Sequence, residues 1–559
     1  VKFWKKTDFW LAWGLFIGTL VLVRANTTDL GITRDEGYYF DAAESYAGWF
    51  RTLWQKPAEA FSEPIVRRHF EINHEHPPLV KNLMALSYLE FSPQPVRGWP
   101  PERRGDYLRA MRLPAALFSA LAVVLVFLLG RELASRRVGL LAALGFLLAP
   151  RHFYHARLAC LDMPACALWL AVVWAWRRSW SSFGWAIGCS LLWGLSISAK
   201  HNGWFLPPML FLHWLLVRGG EFGLKKEGLR LPPLPWALVF MPLAGGMVLF
   251  ALWPWLWHDT WARLKEYFSF HLNHINYPWE YFGRLVVDPP YPWLYPFVVT
   301  AVTLPLALLV PATAGFFLTT WERLRGPFVR LFFRLRRKTF TGSPEEKWFS
   351  SADGWLVLLG AFFPIFIIAL PSVPIFGGMK HWICAMPFLC LLGARALELS
   401  AGAFSAKWQK PAFWTAGALM LLSCLLGNWR IGNYGTSYYN ELLGGVRGAA
   451  DWGFQRQYWS NNVTGVLDWL NKNAPSGARL FLHEVNGESF RTYQRDGYLR
   501  PDVRAGWWFD QADITAYQYH REFVDVEYQL WNKLGHRKPV YGLYLDEVPI
   551  ITVYDHRQR

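Results

Sequence analysis

Residues 33–46 read TRDEGYYFDAAESY and directly follow the first apolar run of the chain. Adjacent acids, Asp35 and Glu36, stand at the foot of an aromatic-rich helical pattern beside a segment that can enter a bilayer. Thr33 and Glu36 have the spacing of a capping box, in which each side chain satisfies a backbone N–H of the other. An acid in the first turn also suits the helix dipole. At about 100° per residue, Tyr39, Ala42, Ala43, Tyr46 and Phe50 fall on one arc, with Asp41, Glu44 and Gly48 opposite. Asp35 lies inside the apolar arc, in line with Tyr39 and Tyr46. A merely solvated acid faces the other way. The stretch predicts an interfacial helix that holds one carboxylate inward.

The rest of the chain fits a membrane setting. It has 559 residues with 34 Trp, 18% aromatic and 53% hydrophobic content, well above ordinary aromatic usage. Mean hydropathy is only +0.12, so apolar segments must alternate with long polar loops. Counted against the roughly 20 residues that cross a bilayer, apolar runs lie at 8–24, 111–129, 138–154, 163–176, 183–199, 203–217, 236–253, 293–317, 352–370, 380–397 and 412–429. They predict a polytopic α-helical membrane protein with about eleven transmembrane helices. Lys2, Lys5 and Lys6 precede the first run without a small-residue cleavage site after it, which reads as a retained first span. Cys160, Cys166, Cys189, Cys384, Cys390 and Cys424 lie in or beside apolar runs without a CxxC and read as small buried residues.

The net charge of +16 is then topological rather than a nucleic-acid signature. With the N-terminus inside, alternate loops carry Arg131, Arg136 and Arg137; Arg177 and Arg178; Arg218, Lys225, Lys226 and Arg230; the run 321–338; and Lys407 with Lys410. The run 321–338 reads as an amphipathic cytoplasmic surface helix. A transmembrane domain over 1–430 then presents external loops at 26–110, 155–163, 254–292 and 371–381. Residues 431–559 form a small extracytoplasmic α/β domain: VTGVLDWLNKN is helical by period, ARLFLHE reads as a strand, and PVYGLYLDEVPIITVYD reads as two strands around a turn. No internal repeat is visible.

Acids, histidines and a few cations therefore converge on one face, the composition of a site rather than of a lipid-facing surface. No P-loop or GxGxxG fingerprint is present. Free nucleotides are scarce outside a membrane, so an external transferase needs another activated donor, and a sugar on a polyprenyl phosphate fits. The acceptor must lose a proton to a carboxylate, which Asp35 or Asp162 can supply, with Glu36 mainly capping the helix and shaping the site. The departing lipid phosphate gains charge and needs cations. Lys200, His201, His271, Arg284, Lys380 and His381 are the candidates, with Arg34, Tyr39, His74 and His76 beside them. Two nearby carboxylates also tend to raise one pKa, keeping a base effective near neutrality.

Several of these stretches carry a resemblance. TRDEGYY in the first external loop, HEHPPLVKNLMAL before the second span, MRLPAALFSA at its start, ARLACLDMPACALWL in the second external loop, GLSISAKHNGWFLPP and GGMKHWICAMPFL run in order. Together they resemble the GT-C class of polyprenyl-phosphate-sugar-dependent glycosyltransferases. Within it, the likeness is to the protein O-mannosyltransferase and lipid A aminoarabinose transferase family, over roughly residues 8–430. The resemblance implies a catalytic base at Asp35, a second-loop acid at Asp162, a polyprenyl-phosphate-linked sugar donor, and a protein, lipid or glycan acceptor. It also implies a bacterial inner (plasma) membrane with the C-terminal domain periplasmic or extracellular. Metal-dependent members of the class carry a DxD-like second motif, whereas LDMP offers one acid. No cofactor is therefore required, although His74, Glu75 and His76 keep a divalent metal such as zinc open.

Other classes fit less well. A transporter or lipid flippase places ionisable residues near the midplane, often in duplicated halves; here they cluster at one face. A structural membrane protein using its outer domain for binding predicts no loss of product when Asp35 is changed. A glycoside hydrolase uses two carboxylates but has no need of so many spans.

Overall fold

The computed structural model describes residues 6–92, 104–225, 228–335 and 350–557. It is a mostly helical membrane protein with a small C-terminal sheet domain. The number of spans predicted from sequence is overturned. Among the described residues four helices are long and apolar enough to cross a membrane: Lys6–Ala25, Asp106–Leu133, Gly378–Ala401 and Ala406–Ile431. Shorter apolar helices occupy Phe183–Ala199, Trp236–Leu252 and Ala352–Ile368.

The physical reason for the difference lies in how the other apolar runs fold. The run 138–154 stops at Leu148 and restarts at Pro150 as a seven-residue helix, Pro150–Ala156. The run 203–217 is divided between the 3-10 turn His201–Phe205 and the 13-residue helix Leu206–Arg218. Pro305 splits 293–317 into Tyr295–Thr303 and Leu306–Leu335, because proline supplies no backbone donor and clashes with the preceding turn. Asp162–Ser179 is nearly all buried inside the protein. An apolar run signals burial, in lipid or in a protein core alike. The basic run 321–338 begins on the helix Leu306–Leu335, and residues 336–338 fall outside the described residues. All six cysteines are free and buried.

The first-loop helix, Arg34–Gln55, starts with both halves of the capping box formed. Its arc of Tyr39, Ala42, Ala43 and Tyr46 is buried, and Asp41 is exposed opposite. The C-terminal sheet has five strands, β1 (Arg479–Leu482), β2 (Arg504–Ala505), β3 (Ile514–Gln518), β4 (Tyr541–Leu545) and β5 (Val548–Asp555), in the order β2-β1-β3-β5-β4. β1 is parallel to β2 and β3, while β5 is antiparallel to β3 and β4.

This domain is locked onto the first loop. The helix Gly487–Arg495 packs against Arg34–Gln55 so closely that a Cβ at Gly37 would meet Ser489 Oγ at 2.6 Å. The Tyr493 hydroxyl accepts from the Ile32 N–H at 2.7 Å, and Arg495 pairs with Glu44 at 2.7 Å. Asp496 caps the helix Asp106–Leu133 from the other domain, accepting from Tyr107 N–H at 3.0 Å and Leu108 N–H at 3.1 Å. Burial raises the Asp496 carboxyl to about 7 against those two backbone donors. The folded state therefore holds a proton that the unfolded chain, with a carboxyl near 3.9, releases. The stability contributed is fully present below about pH 4 and is lost as pH rises through about 7. Thermal melts should show this loss in the wild type, and Asp496→Asn, which cannot ionise, should flatten it. An unchanged slope in the variant would assign the dependence to other groups.

Candidate functional site

The three predicted acids have three different fates. Glu36 is fully buried. Its Oε1 accepts from Arg112 Nε and the Ala159 N–H, each at 2.7 Å. Its Oε2 accepts from Arg112 Nη2 at 2.8 Å and the Thr33 N–H at 2.9 Å. This carboxylate is spent on structure, tying the start of its own helix to Arg112 and to the Ala159 main chain. Asp162 is also buried, at 3% exposure. Lys200 Nζ donates to its Oδ1 at 2.5 Å, and His155 Nδ1 lies 3.5 Å from its Oδ2. Asp35 alone keeps an open side, with 30% of its side chain exposed and one cation, Lys380, at 3.2 Å.

Lys380 comes from the 3-10 turn Gly378–Ala385. Its ammonium lies 4.2 Å from the Trp459 ring centroid, which holds it by cation–π attraction and fixes its direction. Both lysines expected to meet a phosphate are thus paired with acids in this structure. An ammonium has three donors, so neither pairing uses up its lysine. Charge at Asp35, Asp162 and Glu36 is felt in common at Cys160, which sits among them.

The histidines form a second group. His201 and His271 lie with ring centroids 4.4 Å apart, and His271 and His76 at 6.1 Å. Tyr39 packs edge-on to His76 at 5.8 Å. Burial, reinforced by nearby lysines and by one another, holds His76 and His201 well below the usual imidazole value and His271 at about 4. Lowered values favour the uncharged form at neutral pH, so His201 and His271, expected from sequence among the groups that meet a phosphate, are available as hydrogen-bonding groups. His201 Nδ1 and His381 Nε2 are buried without a hydrogen-bond partner, and the main-chain oxygen of His381 accepts from Asn202.

The remaining predicted residues disperse. His74 turns away from His76, stacking on Trp255 at 4.6 Å and pairing with Glu266 at 2.9 Å. Among the described residues no group of three or more His, Cys, Asp or Glu is arranged to hold a metal ion. Arg284 is exposed at the turn end of a hairpin, opposite Tyr281. Arg34 reaches into the C-terminal domain, 3.4 Å from Glu484.

Residues that sequence reading missed complete the frame. Arg112 stands in the quoted MRLP stretch, and a lone arginine in an apolar run is a signal that a buried partner exists. Lys81 directs all its bonds to the loop of His74 and His76, donating to Asn73 and to the His76 carbonyl at 2.9 Å. Trp459 gave no local signal, since Lys380 and His155 reach it from distant segments.

Residues 104–253 match the family model of dolichyl-phosphate-mannose-protein mannosyltransferase. Over that segment the predicted resemblance holds. Solved structures with similar chains include ArnT from Cupriavidus metallidurans in the apo state, 13% identical, covering 99% of each chain with a TM-score of 0.48. The same protein bound to undecaprenyl phosphate gives 13% identity, 98% of each chain and 0.47. The apo oligosaccharyltransferase of Archaeoglobus fulgidus gives 11% identity over 89% of this chain and 65% of that one, with a TM-score of 0.40. At these identities and scores no residue role carries over. No curated protein matches the chain.

Proposed function

We propose that this protein is a membrane glycosyltransferase that moves a sugar from a polyprenyl-phosphate donor to an acceptor at the outer face, with Asp35 as general base. The observation that carries it is the contrast among the acids: Glu36 and Asp162 are buried and neutralised, while Asp35 is partly open beside a single ammonium. The family match over 104–253 supports the same class.

In the reaction an acceptor hydroxyl or amine attacks the sugar C1. The bond from C1 to the phosphate oxygen breaks, the lipid phosphate leaves with the electron pair, and the acceptor proton passes to Asp35. Lys380 and Lys200 face the growing charge on the leaving group. His201 and His381 offer unused ring nitrogens to phosphate oxygens or sugar hydroxyls. Asp162 holds Lys200 in place. Purified protein given polyprenyl-phosphate sugars of several kinds should release polyprenyl phosphate from at least one of them. If none is cleaved with envelope extract supplied as acceptor, the transferase reading fails.

The reading requires the C-terminal domain and the site to lie outside and the loop between Gly378–Ala401 and Ala406–Ile431 to lie inside. Native cysteines are buried, so single reporters are clean. An impermeant thiol reagent should label Ser476→Cys in intact cells and spare Ser405→Cys, both positions being exposed. The reverse pattern would invert the orientation.

A further inference from the structure

We propose that the crevice beyond the carboxyl ends of β1 and β3 is a saccharide-binding subsite, which receives a hydroxyl-rich acceptor next to Asp35. This rests on the transferase reading for its role, though not for its binding chemistry.

The sheet topology creates the crevice. β1 and β3 are adjacent and parallel, with Leu482 opposite Ala516. The chain leaves β1 toward β2 on one side and leaves β3 toward β4 and β5 on the other. Where neighbouring parallel strands send their connections apart, a cleft opens at their carboxyl ends, and open α/β sheets bind ligands there. The residues at that point are His483 and Glu484 after β1, and Tyr519, His520 and Glu522 after β3.

Buried polar atoms here lack a hydrogen-bond partner among the described residues. Glu484 holds a φ of +66°, a conformation a glutamate rarely adopts. His520 is 8% exposed; its Nδ1 is met by Gln455 Nε2 at 2.9 Å, while its Nε2 is buried without a partner. Gln518 Oε1 is likewise buried and unpartnered. Burial raises both carboxyls, and the charge of Glu484 helps lift Glu522 to about 7. Both carboxyls accept hydrogen bonds, and the raised values favour a proton on one of them that can be donated.

Arg34 enters from the other domain, 3.4 Å from Glu484. Its main chain is fixed by the C-terminal domain, its N–H donating to the Trp459 carbonyl at 2.9 Å and its carbonyl accepting from Asn486 Nδ2 at 3.1 Å. Its guanidinium faces Tyr38 and Tyr277, whose rings are 41% and 39% exposed. Arg34 immediately precedes Asp35 in the chain, so the residue that meets Glu484 is joined to the base through one peptide bond.

This set selects among acceptors. Vicinal hydroxyls both donate and accept, which suits two carboxyls, a guanidinium and an imidazole nitrogen. The C–H faces of a sugar ring suit exposed phenol rings. A phosphorylated group would meet two carboxyls for one guanidinium. An extended peptide pairs with a free strand edge, whereas β1 and β3 are interior strands.

The test is direct binding, with no donor present, to the intact purified protein in nanodiscs. The probes are fluorescent neutral tetrasaccharides of glucan, mannan and chitin type, beside matched Ser/Thr-rich peptides. At least one saccharide should bind. Glu484→Gln combined with Glu522→Gln should weaken it at least ~10-fold, as expected when two buried hydrogen bonds are lost. Tyr277→Ala, a surface change that spares the fold, should weaken it too. Wild-type protein that retains no saccharide, or only peptides, would overturn the proposal, as would variants of wild-type melting temperature that bind unchanged. Saccharide binding without any donor cleavage would sink the transferase reading and leave the subsite standing.

Discussion

Asp35→Asn should lower sugar transfer by about 10²–10⁴, the range expected when a positioned general base is removed, while the melting temperature stays close to wild type. The two halves of this expectation come from the same geometry. Asn keeps the shape of Asp and an oxygen for Lys380 Nζ, which lies 3.2 Å away. The Asp35 side chain is 30% exposed, and the 8% exposed Lys380 keeps the Asn oxygen and the Trp459 ring as partners, so removing the charge costs less than leaving the ammonium without a partner. The loss of proton-accepting capacity has no such substitute, because the other two acids are engaged: Glu36 with Arg112, and Asp162 with Lys200 and His155. The measurement is initial-rate transfer from a polyprenyl-phosphate donor by purified variants, with melting curves recorded alongside. Transfer within about threefold of wild type would be too small for a lost base, and the proton would have to go elsewhere.

The site was partly legible in the sequence because its informative residues are local. Thr33, Asp35, Glu36 and Tyr39 lie within one helical start, where capping and 3.6-residue periodicity act. The strands of the C-terminal domain were legible for the same reason, as alternation bounded by turns at 479–482, 541–545 and 548–555. What failed was inference across distance. Periodicity shows that Asp35 faces inward, but not that Lys380 waits 345 positions later. His201 and His271 were read as candidate cations for the leaving phosphate, whereas burial favours their uncharged form. Hydropathy failed for a different reason. It scores the wish to leave water and is blind to whether lipid or protein receives the segment. Asp162–Ser179, almost wholly buried among other helices, is as apolar in sequence as a span. Prolines at 150 and 305 also break runs that a window average joins.

Glu36→Gln is expected to destabilise the protein severely, by about 3–5 kcal/mol, although Gln fits the capping box as well as Glu does. From sequence alone the substitution is mild. The structure reverses that expectation, because the cap is the lesser part of what Glu36 does. Arg112 is 1% exposed, and its guanidinium donates to both Glu36 oxygens as well as to the carbonyls of Thr27 at 2.6 Å, Leu30 at 3.1 Å and Gly31 at 2.8 Å. Gln removes the only negative charge bonded to this cation among the described residues. It also places an NH₂ where an oxygen accepted two N–H groups, from Arg112 and Ala159 on one side or from Arg112 and Thr33 on the other. A buried guanidinium is left without a counter-charge and facing a donor. Since the carbonyls of 27, 30 and 31 form the strap that delivers Thr33 and Asp35, the first loop loses its anchor with the cap intact. Melting temperature and protease resistance of the outer face should fall together in Glu36→Gln. Adding Arg112→Met should cost less than the sum of the two single changes, because each single change strands a charge that the double variant lacks. Simple additivity would mean that the pair is not coupled, and a Glu36→Gln protein that melts like wild type would reduce Glu36 to a helix cap.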